Sequence, residues 1–176
     1  IPVQLQPEPA AFEDEVRLKG LSAIDEMVGR PPRRSHPGIR RVKIADREED
    51  IPADKLPNFW RYALSDLLRL YHRRCSFLAL YIPHATGCPS VDHMLPKSKR
   101  WDQVYEWANY RLCAASINSR KSDMDDIIDP VDCMPGWFAL EFVAFQVVLG
   151  DQAPDKPGSK FDSTLRLLNG RECRLA

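Results

Sequence analysis

The sequence predicts an α+β fold. Residues 57–74, PNFWRYALSDLLRLYHRR, place Trp60, Leu64, Leu67, Leu68 and Tyr71 at the three-and-four spacing of an amphipathic helix, with Pro57 suited to its first turn. The runs CSFLALYIP and VDHMLP are short, apolar and separated by the turn residues HATGCPS, which reads as a hairpin with a long loop. Residues 109–122, NYRLCAASINSRKS, follow as a second helix with Asn109 as its N-cap and Tyr110, Cys113 and Ile117 as its buried stripe. The expected core is therefore strand, strand, helix.

Three stretches organise the chain: a helical and basic, proline-rich segment (1–56), the ββα core (57–129) and an accessory segment (130–176). In the first, residues 9–28 have a helical period that Gly20 should break into short helices. Gly29–Lys43 then carries six Arg/Lys and no acid among prolines and glycines, and reads as a solvated linker or as a basic arm on phosphates. After the core come five aspartates between Asp123 and Asp132, a solvated loop or a patch that repels substrate. GWFALEFVAFQVVLG reads as a buried strand or strand pair, and a helix is expected near Asp162.

Composition narrows the class. With 176 residues, 44% hydrophobic and 28% charged, the chain has the make-up of one ordinary domain. A formal net charge of zero announces no strongly basic nucleic-acid binder. No apolar run reaches the length of a transmembrane helix, and IPVQLQPEPA lacks the basic start and apolar middle of a signal peptide. Five scattered cysteines (Cys75, Cys88, Cys113, Cys133, Cys173) are expected as reduced thiols, so the expectation is cytoplasmic, with no membrane partner.

The chemistry concentrates in SVDHMLPKS and NSRKSD. Neutral His93 can take a proton from water. Asp92 and the amide oxygen of Asn118 are hard ligands suited to Mg²⁺ or Mn²⁺. On a helix, Ala114, Asn118 and Lys121 share one face, so Asn118 can reach a metal held by Asp92 and Lys121 a phosphate.

Residues 75–123 resemble the HNH endonucleases, through VDHMLPKS followed by NYRLCAASINSRKSD, with Asn109 sixteen residues after His93 and Asn118 nine further on. The HNH domain of the CRISPR effector nuclease closes with a similar Asn-to-Asp run. The resemblance implies a ββα-metal core with flanking helices and a C-terminal apolar strand segment. It implies His93 as general base, oriented by Asn109, with Asp92 and Asn118 holding one Mg²⁺ or Mn²⁺ and Lys121 acting on the phosphate. Lys97, Lys99, Arg111, Ser119 and Arg120 become candidate nucleic-acid contacts, with DNA the expected substrate and RNA the alternative. Tyr105 and Trp107 are expected in the core rather than stacked on a base.

Many HNH proteins hold a structural zinc with two C-x2-C pairs. Here Leu78 and Ser116 stand where the second cysteines would be, so no four-thiolate zinc is expected and packing around Phe77, Leu80 and Ile117 should replace it. A mixed site of Cys75, Cys113 and His84 is the minor alternative. The flanks more loosely resemble a bacterial group paired with an ATPase in Septu-type anti-phage defence, which implies an ATPase partner. The competing class is a non-catalytic nucleic-acid-binding or assembly module; a delivered toxin is a third.

Overall fold

The computed structural model describes residues 3–35, 38 and 41–170. Its helices are α1 (Leu18–Met27), α2 (Leu64–Leu70), α3 (Ala115–Lys121) and α4 (Ser159–Leu168). Its strands are β1 (Pro89–His93), β2 (Tyr110–Ala114), β3 (Phe138–Glu141) and β4 (Gln146–Leu149), in two antiparallel pairs, β1 with β2 and β3 with β4. This is the expected α+β class. No helix among the described residues is long and apolar enough to cross a membrane.

The order strand, strand, helix is present, but its first strand is not the one the sequence suggested. Residues 75–83 form turns joined by a single bridge between Arg74 and Tyr81. The partner of β1 is instead Tyr110–Ala114, in a register running from Pro89 opposite Ala114 to His93 opposite Tyr110. Those five residues had read as the start of a helix. Tyr110, Arg111, Leu112 and Cys113 are all buried, so the strand shows no polar alternation by which to distinguish it. Helix α3 starts directly from the end of β2, where the Ala115 N–H donates to Cys88 O at 2.7 Å. Ala114 is thus a strand residue, and only Asn118 and Lys121 lie on the helix.

Helix α1 continues from a π-helical turn, Glu13–Arg17, and Gly20 does not break it. A Cβ at Gly20 would lie 2.2 Å from the Tyr105 ring, so the glycine lets α1 approach the β1–β2 connection. Tyr105 and Trp107 are both core residues, as expected. The basic segment is no free arm where it is described. Arg30 and Arg33 pair with Asp25, Arg34 with Asp14, Arg41 with Glu26 and Lys43 with Asp46, so neighbouring acids neutralise them. His36, Pro37, Ile39 and Arg40 lie outside the described residues, as do Cys173 and the rest of the tail from 171.

A 3-10 turn, Phe59–Ala63, leads into α2, which ends at Leu70 because His72 and Arg73 take the left-handed conformation. The segment 136–150 is a strand pair but not a buried one: Phe142, Val143 and Phe145 at its tip are 73%, 92% and 61% exposed. At its base Trp137 and Phe138 pack on Phe161 of α4, ring centroids 5.1 and 5.6 Å apart. The Asn169 amide clasps the Val147 backbone, accepting from its N–H at 2.8 Å and donating to its carbonyl at 2.7 Å. The predicted helix near Asp162 is α4.

Cys75 and Cys113 are both buried free thiols, and each perturbs the ionisation of the other. His84 is exposed, against the Tyr81 ring. Ile117 is buried beneath this region and Phe77 partly so, whereas Leu80 is 63% exposed and takes no part in the expected packing.

Candidate functional site

The ends of β1 and α3 face one another across a cleft of about 180 Å³, whose walls include Trp60, Asp92, His93, Lys97, Asn118 and Ser122. Strand β1 delivers Asp92 and His93. Helix α3 delivers Asn118 and stops at Ser122, whose φ of 47° lies in the left-handed region that a serine adopts only when its surroundings hold it there.

Asp92 is buried, and its two oxygens differ. Oδ1 lies 3.2 Å from the Lys121 ammonium. Oδ2 is also buried and has no hydrogen-bond partner. Burial pushes the Asp92 carboxyl up to about 6 against the opposing pull of Lys121. An unpaired buried carboxylate oxygen is costly unless something positive meets it.

His93 donates from Nε2 to the Val104 carbonyl at 3.0 Å. A carbonyl can only accept, so in the neutral ring Nε2 carries the proton and Nδ1 keeps its lone pair. The Tyr110 hydroxyl donates to the same carbonyl at 2.7 Å, and Trp60 and Tyr110 set their rings edge-on to the imidazole. Burial, then the Lys97 charge, lowers His93 to about 3, so it is neutral at ordinary pH.

Asn118 donates its amide nitrogen to Ser90 Oγ at 3.1 Å and to Val91 O at 3.3 Å, leaving Oδ1 as its acceptor. Asp92 and Asn118 both line the cleft, and a carboxylate with an amide oxygen is the hard-donor chemistry that Mg²⁺ or Mn²⁺ takes. No group of three His, Cys, Asp or Glu side chains is placed to hold a metal among the described residues.

Two expected roles change. Lys121 is 0% exposed and donates to the His93 carbonyl at 2.6 Å as well as pairing with Asp92, so it holds the strand end and does not reach a phosphate. Asn109 does not bond His93. Its Oδ1 accepts from Leu95 N at 2.7 Å, and its Nδ2 donates to Leu95 O and Gln103 O. It fixes the connection that carries Val104, and its backbone carbonyl accepts from Met94 N, the residue after His93, at 2.9 Å.

The candidate nucleic-acid contacts divide similarly. Lys97 lines the cleft. Lys99 pairs with Asp125 on the surface. Arg111 is buried, bound to Asp129 and to the Ala108 and Tyr110 carbonyls, and is no ligand contact. Arg120 donates to Leu167 O at the end of α4, and Ser119 is exposed. The acidic stretch is neither a free loop nor a repelling patch as a whole. Asp125 holds Lys99, Asp126 accepts from Ser159 and Ser163, and Asp129 anchors Arg111.

Sequence reasoning missed Trp60 and Val104. The tryptophan had read as part of a buried helical stripe. Val104 acts through its backbone carbonyl, which no side-chain pattern announces. No family model matches the chain, nor does any curated protein or solved structure. The chemistry has to be read from the cleft itself.

Proposed function

We propose that this chain is a metal-dependent endonuclease of HNH type that hydrolyses phosphodiester bonds, with DNA as its substrate. The observation that carries the reading is that Asp92, whose buried Oδ2 has no partner, lines the same cleft as a histidine whose tautomer a backbone carbonyl fixes. Asp92 and Asn118 would hold one Mg²⁺ or Mn²⁺, which supplies charge neutralisation for the phosphoryl group.

His93 Nδ1 takes a proton from the attacking water as its oxygen bonds to phosphorus and the P–O bond opposite breaks. The leaving oxygen is protonated from solvent. An imidazole held near 3 is a weak base in the resting cleft. Its proton affinity rises as negative charge builds on the phosphoryl oxygens beside it, so transfer is favoured in the transition state. Val104 and Asn109 keep the ring oriented; Lys121 keeps Asp92 in place.

Plasmid incubated with Mg²⁺ or Mn²⁺ tests this. The wild type should nick or linearise it, and His93→Ala or Asp92→Ala should lose activity by 10²-fold or more. No cleavage by the wild type, or equally low cleavage by all three, overturns the assignment and returns the chain to a non-catalytic binding or assembly module. The zero net charge and ion-paired basic segment favour weak substrate binding by this chain alone, which fits a partner such as an ATPase that supplies affinity or activation. Full cleavage by the isolated chain at physiological salt would remove the need for one.

A further inference from the structure

The cation lining the cleft is treated differently from its neighbours. Arg100 pairs with Asp102, Lys99 with Asp125, Arg111 with Asp129 and Lys121 with Asp92. Lys97 has no ion pair among the described residues. It is partly buried, and its ammonium rests over the Trp60 ring, 4.3 Å from the centroid. The surrounding turn fixes where it points, since Lys99 N and Arg100 N both donate to Pro96 O. Trp60 in turn stands edge-on to His93, ring centroids 5.0 Å apart. A π-face holds a cation in position without neutralising it. The charge therefore stands beside His93 and Asn118 with no acid of the described residues in contact, Asp54 acting on it only from beyond ion-pair distance.

We propose that Lys97, held over Trp60, is the seat for the substrate phosphate that enters the cleft, and that Trp60 is its positioning residue. This rests on the nuclease reading and names the group that meets the substrate there. An ammonium has three donors, so it can bind a phosphate oxygen while its stem stays against the indole. The seat takes a phosphodiester of any sequence, because it touches no base edge.

The test measures binding of a short fluorescein-labelled DNA duplex by anisotropy across a salt series, in Mg²⁺ and in the His93→Ala background so that nothing is cleaved. Adding Lys97→Ala should weaken binding about tenfold and reduce the slope of log K against log salt by about 0.9, the loss of one phosphate contact. Lys97→Arg should restore both, and Trp60→Ala should weaken binding while leaving the slope. A Lys97→Ala protein with unchanged affinity and slope overturns the proposal. So does one whose weaker binding is not restored by Lys97→Arg and whose slope is unchanged, since Lys97 is then only a packing residue. Plasmid cleavage by the wild type separates the two levels. Cleavage together with a Lys97-independent slope rejects the seat alone. A wild type that binds with a Lys97-dependent slope but never cleaves rejects the nuclease and leaves the seat.

Discussion

Asp92 gives one oxygen to Lys121 and keeps the other without a partner, and the energetics of the centre follow from that asymmetry. Lys121→Ala should cost about 3–5 kcal/mol in urea unfolding, because it leaves a buried carboxylate uncompensated. The double variant Asp92→Asn/Lys121→Met should recover most of it, because a buried pair replaced by neutral groups removes both desolvation costs. A double variant as unstable as the single would mean that the bond from Lys121 to the His93 carbonyl, not the ion pair, carries the stability. The two neighbours should also oppose one another in acid. His93, lowered to about 3 from 6.5, costs stability as pH falls below 6.5, since the unfolded chain takes that proton first. Asp92, raised to about 6 from 3.8, does the reverse: the folded state takes the proton first, so its contribution grows as pH falls from about 6 and is lost as pH rises through 6. In EDTA, Asp92→Asn should therefore steepen the acid loss, and His93→Gln should turn it into a gain between pH 6 and 4. Parallel pH profiles for all three proteins would contradict these assignments.

At the scale of elements, α1 depends on a missing methyl group. Gly20→Ala puts a Cβ into the buried Tyr105 ring, and should cost about 1–3 kcal/mol by overpacking although alanine is the better helix former. A Gly20→Ala protein with a higher melting temperature would show that the ring yields freely. The same element shows what the sequence could convey. Helical spacing identified α1 and α2, while Gly20 looked like a breaker because the reason for it, a ring 85 residues away in the chain, is not local. Strand β2 was misread for a related reason. Arg111 is buried against Asp129, so a charged residue that should mark a solvent face marks an interior one. That Asp92, His93 and Asn118 come to one cleft was legible, since their types and order are chemical. Their partners were not: the Val104 carbonyl and the Trp60 face gain meaning only from folding.

For the whole molecule, α4 and the segment around Asp126 lock the C-terminal part onto the ββα unit, through Ile128 N donating to Thr164 Oγ1 at 2.9 Å and the serines on Asp126. The β3–β4 tip takes no part in that lock. Phe142→Ser and Val143→Ser should thus change stability by no more than about 0.5 kcal/mol, read by thermal melting, whereas Phe161→Ala, which removes a buried ring, should cost about 3–5 kcal/mol. A tip variant that melts far below the wild type would place those side chains in the fold's own packing. The basic segment belongs to this scale as well: Arg30, Arg33, Arg34 and Arg41 are each paired with an acid, so they do not add a free positive surface.

Lys121 gives the cleft a property that sites built from several carboxylates lack. Where several carboxylates surround an ion, they repel one another once it leaves, and the ligands drift apart. Here a single carboxylate faces the cleft, already tethered to a cation that cannot dissociate because it is part of the chain. If the proposed nuclease reading holds, chelation should abolish turnover while leaving the architecture standing.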